Sequence, residues 1–140
     1  MAVQAVLEVA RDVGDFPRYL TVAEAARVLD VPESRFRASW RQNGICPAAL
    51  TKGLTQVRRQ DVVRAAVLVS LQAIFGEQSG LAVELAKAAT SEQLDALLVA
   101  STPTLQVTRS GVSTGRREFT VELDRDYLAQ VRNQIAQVPA

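Results

Sequence analysis

Residues 21–29 have the clearest helical pattern in the chain. Thr21 and Glu24 have the spacing of a capping box, in which each side chain accepts a hydrogen bond from the other residue's backbone N–H. Apolar residues then recur at the spacing of one helix face, at Val22, Ala25, Ala26 and Leu29. The run Asp-Val-Pro at 30–32 is predicted to end this helix after little more than two turns.

A second short helix is predicted to begin at Pro32 or Glu33, because proline is well placed at the first helical position. Phe36 and Trp40 lie four residues apart on one side and should face the core. Gly44 suits the turn that follows. The outward side combines small residues in its middle with arginines at its edges: Ser34, Arg35, Arg37, Ala38 and Arg41.

Residues 45–60 lack helical periodicity and indicate a small β-hairpin. Two short extended runs flank the pair Lys52-Gly53, which is the predicted tip. Asp61 is a suitable N-cap for a third helix at about 62–75. That helix is apolar on nearly every side, so we expect it to be buried on several sides and to end at Gly76.

The second half of the chain is predicted to combine helices with another hairpin. Two helices are expected at 80–89 and 91–100, capped between them by the run at 90–93, with inward faces formed by Leu81, Leu85, Ala89, Leu94, Leu97 and Leu98. Alternating residues at 105–109 and 119–123, across a Gly/Ser/Thr-rich loop, predict the hairpin. Asp124 is expected to cap a last helix that buries Leu128, Val131 and Ile135.

The first residues allow two interpretations. A helical stripe runs through Val3, Val6, Leu7, Ala10 and Val13. A strand is the alternative, because apolar residues also alternate at Val3, Ala5, Leu7 and Val9. The run Gly-Asp-Phe-Pro at 14–17 would break a helix, and we treat residues 1–17 as an N-terminal extension.

Composition excludes several classes of function. The chain has 140 residues, no His and one Cys, which excludes His-based catalytic triads, His metal sites, internal disulfides and multi-cysteine zinc sites. Without a disulfide framework the chain suits a reducing cytoplasm, and its longest apolar stretch is too short to span a bilayer. The acidic residues form no pocket with a base partner, so we expect neither an enzyme nor a bound cofactor.

Basic residues concentrate between positions 35 and 64, although the formal net charge of the whole chain is only +1. Asp61 is the one acid in this segment, against Arg35, Arg37, Arg41, Lys52, Arg58, Arg59 and Arg64. A local basic block of this kind is expected of a nucleic-acid contact surface. A solvated face of a neutral protein is the alternative explanation.

The predicted second helix and hairpin suggest how these charges would meet DNA. A helix enters the major groove when small residues allow close approach and longer side chains reach base edges or phosphates. Lys52 at the hairpin tip would lie over the backbone or in the adjacent minor groove. The predicted DNA-binding residues are Ser34, Arg35, Arg37, Ala38, Arg41, Lys52, Thr55, Arg58 and Arg59.

The same segment resembles MerR-type and excisionase-type DNA-binding domains. The resemblance starts with LTVAEAARVLDVP at 20–32, continues with WRQNGICP at 40–47 and includes RRQDVV at 58–63, so that it covers about residues 20–68. It implies a winged helix-turn-helix with a recognition helix at about 33–42 and a wing at about 48–58. It also implies DNA-contacting roles for Ser34, Arg35, Arg37, Arg41, Lys52 and Arg58.

The second half departs from MerR regulators. Gly76 and Gly80 interrupt the long coiled-coil helix that typically follows their DNA-binding domain, and the chain has no cysteine cluster for metal sensing. The prediction therefore does not include promoter distortion of the MerR type or a response to metals.

These patterns predict a mainly α protein with small β elements. A winged helix-turn-helix at 18–76 is followed by an α+β region at 77–140, made of helices plus one hairpin, for dimerisation or a protein partner. The expected function is sequence-specific regulation of transcription on double-stranded DNA by a cytoplasmic homodimer of bacterial or phage origin, without membrane contact. The alternatives are a phage architectural DNA-binding protein of excisionase-like or packaging type, and an adaptor whose basic face binds an acidic protein.

Overall fold

Helices and strands follow one another in a computed structural model that describes residues 2–5, 16–37, 48–51, 54–76, 78, 80–111 and 115–138. The strands are β1 (Ala2–Ala5), β2 (Tyr19–Thr21), β3 (Ala48–Thr51), β4 (Leu54–Arg58), β5 (Thr104–Gly111) and β6 (Gly115–Glu122). The helices are α1 (Val22–Leu29), α2 (Glu33–Phe36), α3 (Arg59–Phe75), α4 (Gly80–Ala88), α5 (Ser91–Val99) and α6 (Arg125–Gln137). The prediction of a mainly helical fold with small β elements is confirmed.

Helix α1 begins and ends as its sequence predicts. The Thr21 hydroxyl accepts from the Glu24 N–H at 3.1 Å, and the Glu24 carboxylate accepts from the Thr21 N–H at 2.8 Å. Asp30 ends the helix in the left-handed conformation (φ 58°, ψ 48°). Helix α2 follows from Glu33, and its Phe36 is fully buried, as predicted.

Strands β2, β4 and β3 form an antiparallel sheet in that order. The predicted hairpin is confirmed by the pairing of β3 with β4, while Trp40, Gly44 and the predicted tip Lys52-Gly53 lie outside the described residues. Strand β2 was not predicted, because three residues are too few to show an alternating pattern. Its central Leu20 lies opposite Val57, and both are fully buried.

A second antiparallel sheet joins β1 to a hairpin in the second half of the chain. The predicted C-terminal hairpin is confirmed as β5–β6, and β1 pairs with the other edge of β5, from Ala2 opposite Thr108 to Ala5 opposite Leu105. The strand interpretation therefore applies to residues 2–5. The rest of the helical stripe, from residue 6 to residue 13, lies outside the described residues.

Helix α3 starts earlier than predicted. Arg58 ends β4 in extended conformation (φ −70°, ψ 141°) and is directly followed by helix, with no side chain capping the helix start. The prediction that Asp61 is the N-cap is therefore wrong. The hydrogen bond from the Arg59 N–H to the Arg18 carbonyl (2.9 Å) extends the β2–β4 ladder to the first residue of α3, so the helix begins directly after β4. Gly76 ends α3 at φ 100°, as predicted.

The remaining helices have the caps and inward faces that the sequence predicts. The Thr90 hydroxyl accepts from the Gln93 N–H, and the Asp124 carboxylate accepts from the Tyr127 N–H at 3.0 Å. Leu81 is partly buried against the core. The other predicted inward residues are buried: Leu85, Ala89, Leu94, Leu97, Leu98, Leu128, Val131 and Ile135.

One hydrophobic cluster connects these elements, with α3 packed against α1, α4, α5 and α6. Ten residues of α3 are buried, so the prediction of a helix buried on several sides is confirmed. The cluster includes residues from 20–71 and from 82–135. The division into 1–17, 18–76 and 77–140 stays a prediction.

Candidate nucleic-acid interface

Helix α2 presents polar side chains outward from a buried anchor. Ser34, Arg35 and Arg37 are exposed, whereas Phe36 between them has no exposed surface. The backbone is still helical at Arg37 (φ −61°, ψ −45°). The structure therefore brings together three of the predicted DNA-binding residues on the first turn of the predicted recognition helix.

Two further residues predicted for this helix, Ala38 and Arg41, lie outside the described residues. So does Lys52, which was assigned to the hairpin tip. Thr55 lies on β4, where it pairs with Leu50 in the hairpin. The described part of the interface thus consists of the start of α2 and the ladder of the hairpin.

Arg37 forms an ion pair within its own helix. Its Nη2 donates to the Glu33 carboxylate at 2.6 Å, and the two side chains are 48% and 46% exposed. An exposed pair at this i,i+4 spacing stabilises a helix by only about 0.3–0.5 kcal/mol. A phosphate or a guanine edge can therefore replace Glu33 as the partner of Arg37 at small cost.

Arg58 lies at the end of the hairpin and forms an ion pair with Asp61. Its Nε donates to Oδ2 of Asp61 at 3.0 Å, but 54% of the Arg58 side chain remains exposed. The Asp61 side chain is only 9% exposed. The pair therefore holds Arg58 at the start of α3 while leaving about half of its side chain exposed to solvent.

Arg59 faces the interior, which differs from its predicted role as a DNA contact. The residue is 8% exposed, and its Nη1 donates to the Phe16 carbonyl at 3.1 Å. Its Nη2 lies 3.8 Å from Oδ1 of Asp95 on α5. Burial raises the pKa of the Asp95 carboxyl, and the nearby Arg59 guanidinium opposes that rise. These partners connect the start of α3 to α5, so we leave Arg59 out of the DNA-contacting set.

Arg64, the last member of the basic block, also has a structural position. Its Nη1 lies 2.7, 3.1 and 2.7 Å from the carbonyl oxygens of Ala86, Lys87 and Ala89, at the end of α4. Burial lowers the pKa of Arg64, and the Asp61 carboxylate opposes that effect. The guanidinium satisfies carbonyls that a helix end leaves without intrahelical partners. Two of the seven basic residues counted from the sequence therefore stabilise the fold.

A basic cleft lies where β2 and β4 meet the start of α3. It has a volume of about 380 Å³ and is lined by Arg18, Tyr19, Arg58, Arg59 and Gln60. Sequence reasoning missed Arg18 and Tyr19, because the basic block was counted from residue 35 and β2 was not predicted. The available signal was the pair Arg-Tyr directly before the first helix motif.

Other kinds of site are not found among the described residues. Within that part of the chain no group of three or more His, Cys, Asp or Glu residues is placed to hold a metal ion. None of the helices in the same ranges is both long and apolar enough to cross a membrane.

The interface cannot be assigned by similarity to known proteins. No known protein family, curated protein or solved structure matches this chain. The arrangement of α2, the hairpin and the cleft is therefore the basis for the functional proposal.

Proposed function

We propose that this protein binds double-stranded DNA sequence-specifically and regulates transcription, with α1–α2 as a helix-turn-helix and β3–β4 as its wing. One observation supports the proposal most. Arg35 and Arg37 are exposed on α2 beside the fully buried Phe36, on a helix pair next to the sheet that contains the hairpin. The resemblance to MerR-type and excisionase-type domains leads to the same proposal and suggests a bacterial or phage protein of the cytoplasm.

The buried anchor makes α2 a rigid support for its arginines. Phe36 packs in the core cluster and α1 contacts α2, so the backbone that carries the outward residues is held in place. A planar guanidinium donates two parallel hydrogen bonds to guanine O6 and N7 or to a phosphate. Ser34 is small and exposed, which allows close approach to the groove. Arg35 and Arg37 would then contact base edges or the flanking backbone.

The C-terminal part of the chain is proposed to mediate dimerisation or contact with a protein partner. Ile74 and Phe75 at the end of α3 are 49% and 36% exposed. A groove of about 490 Å³ beside Ile74 is lined by the buried Pro103 and Leu123 and by polar residues that include Glu122, Asp124 and Arg125. Exposed large apolar side chains such as Ile74 and Phe75 are a feature of protein contact sites, and a homodimer would place two modules on palindromic half-sites. Sedimentation measurements across a range of protein concentrations test directly whether the protein forms a homodimer.

The proposed function is tested by selecting bound duplexes from a random pool and measuring affinity on the selected sequence. Arg37→Ala should weaken binding by about 1–3 kcal/mol, which is roughly 5- to 150-fold. Lys87→Ala is the control, because it removes one positive charge from an exposed side chain of α4 that lines neither the cleft nor the groove, and it should leave the affinity within about twofold.

Two outcomes would reject the proposal. Absence of salt-dependent binding to any duplex in the pool would exclude DNA as the ligand. Equal losses for Arg37→Ala and Lys87→Ala would show that α2 has no special role. A bending assay on the selected duplex separates a simple regulator from an architectural protein.

A further inference from the structure

We propose that the cleft formed by Arg18, Tyr19, Arg58, Arg59 and Gln60 is a binding site for a phosphate group. The inference rests on the proposed function in one respect, since a backbone phosphate of DNA is the expected source. A free phosphate compound would be recognised by the same chemistry, and the experiment below distinguishes it from a DNA backbone phosphate. The cleft extends the DNA contact beyond α2 to the base of the hairpin.

The charges around the cleft favour an anion. Its lining contains no acid and three arginines, of which Arg18 and Arg58 are exposed to an anion, whereas the Arg59 guanidinium is directed toward Phe16 and Asp95. Two carboxylates contact these arginines from outside the lining: Asp61 binds Nε of Arg58, and Asp95 lies near Arg59. No carboxylate of the described residues lies within salt-bridge distance of Arg18, which is exposed. The site thus has an excess of positive charge, which a phosphate would neutralise.

The geometry of the ladder directs suitable donors to one side. Tyr19 and Arg58 are directly opposite each other on β2 and β4, and directly opposite residues have Cβ atoms about 4.5–5.5 Å apart. Both side chains are exposed, whereas the next opposite pair, Leu20 and Val57, is buried. A phenol hydroxyl and a guanidinium therefore share the outer face, and both donate hydrogen bonds to phosphate oxygens.

The backbone fixes the two sides of the cleft relative to each other. The Arg59 N–H donates to the Arg18 carbonyl at 2.9 Å, so β2 is bonded directly to the first residue of α3. Because α3 has 17 residues and no side-chain cap at Arg58, the positive end of its dipole adds to the field of the arginines, and the Asp61 carboxylate in its first turn offsets part of this field. A site held in this way needs little rearrangement to receive an anion.

The size and position of the cleft fit a nucleic-acid backbone. Its volume of about 380 Å³ lies within the range of about 300–1,000 Å³ that is typical of small-molecule sites, so a phosphate with its attached sugar has room. Strand β4 has five residues from Leu54 to Arg58, and at about 3.4 Å per residue the cleft is about 14 Å from the tip end of the strand. A duplex along the hairpin would therefore contact both ends of it.

The DNA part of the test measures how the binding constant depends on salt. Each lost phosphate contact reduces the slope of log K against log salt by about 0.9. Arg18→Ala should reduce the slope by about this amount and weaken binding to all duplexes alike, without changing the preferred sequence. Arg18→Lys should restore most of the slope, and Lys87→Ala should leave it unchanged.

The second part of the test uses inorganic phosphate alone. Two-dimensional amide spectra are recorded with sodium phosphate and with sodium chloride at the same ionic strength. Phosphate should shift the amide signals of Tyr19, Arg59 and Gln60 in the natural protein, and these shifts should be lost in Arg18→Ala. Both substitutions at Arg18 change an exposed side chain, so the fold should be retained.

The outcomes separate the site from the proposed function. A changed slope, with or without shifts from free phosphate, supports the cleft as a DNA-backbone site. Phosphate shifts in a protein that binds no duplex support a site for a free phosphate compound and reject the proposed function. If Arg18→Ala changes neither the slope nor the phosphate shifts, the cleft proposal is overturned even when the natural protein binds DNA.

Discussion

Replacement of Tyr127 by Phe should loosen the connection between α6 and the end of α1. The Tyr127 hydroxyl on α6 donates to the Leu29 carbonyl at the end of α1, at 3.0 Å and across 98 positions of the chain. Leu29 is 1% exposed, so its carbonyl has little access to water as a replacement partner. Phe retains the packing of the ring and removes only the donor. The expected loss is about 1–3 kcal/mol of unfolding free energy, or about 4 °C of Tm for each kcal/mol.

The same hydroxyl gives the prediction a pH dependence. Burial, followed by the carboxylates of Asp30 and Asp124, raises the pKa of Tyr127 to about 12 from 10.0. Because the folded-state pKa lies above the unfolded value, this contribution to stability is complete below pH 10. It decreases as the pH rises through about 12. The difference in stability between the natural protein and Tyr127→Phe should therefore shrink across that window.

Urea unfolding from neutral to alkaline pH measures this difference, and Tyr19→Phe is the matched control. The chain has two tyrosines, and Tyr19 is 41% exposed. Tyr19→Phe should keep the pH dependence of the natural protein. Since Tyr127 is then the only tyrosine, tyrosinate absorbance reports its ionisation, with an expected midpoint near 12. Equal stability of the natural protein and Tyr127→Phe at pH 7, or a midpoint near 10, would refute the reasoning.

Three other substitutions test local features by urea unfolding. Arg64→Met should lower the free energy of unfolding by about 2–4 kcal/mol, because the carbonyls at the end of α4 lose a charged donor. Arg64→Lys should recover part of this loss. An unchanged stability of Arg64→Met would show that solvent replaces the guanidinium. Asp30→Ala should lower the free energy of unfolding by about 1 kcal/mol, whereas Asp30→Gly should leave it unchanged or raise it, because glycine adopts a φ of 58° without steric cost. A less stable Gly variant than Ala variant would contradict the left-handed conformation. Ser70→Ala should cost about 1–2 kcal/mol, because the Ser70 hydroxyl accepts from the Asp124 N–H at 2.7 Å; faster hydrogen exchange at Asp124 should accompany it, and unchanged exchange would argue against this bond.

Elements with a local signal were predictable from the sequence. Thr21, Thr90 and Asp124 each cap a helix through a bond to a residue three positions away, and this spacing is visible in the chain itself. The burial of Phe36 and the exposure of its neighbours followed in the same way from helical periodicity. These predictions succeeded because the partners that determine them are close in sequence.

Features that depend on distant partners were not predictable. Arg59 looked like its neighbour Arg58, but its inward direction is determined by Phe16 and Asp95. The role of Arg64 depends on the end of α4, between 22 and 25 residues later. Counting charges along a segment cannot distinguish an arginine that caps a helix from one that faces solvent. For the same reason the cleft, which joins Arg18 to Arg58, was not predicted.

The pairing of β1 with β5 has a consequence for how the protein is made. On the ribosome, the first strand emerges long before its partner, and every element of the candidate interface is synthesised in the interval. The β1–β5–β6 sheet can therefore close only after β5 and every element between β1 and β5 have been translated. A nascent chain that stops before β5 would leave β1 without its partner strand, although every element of the candidate interface would already have been synthesised.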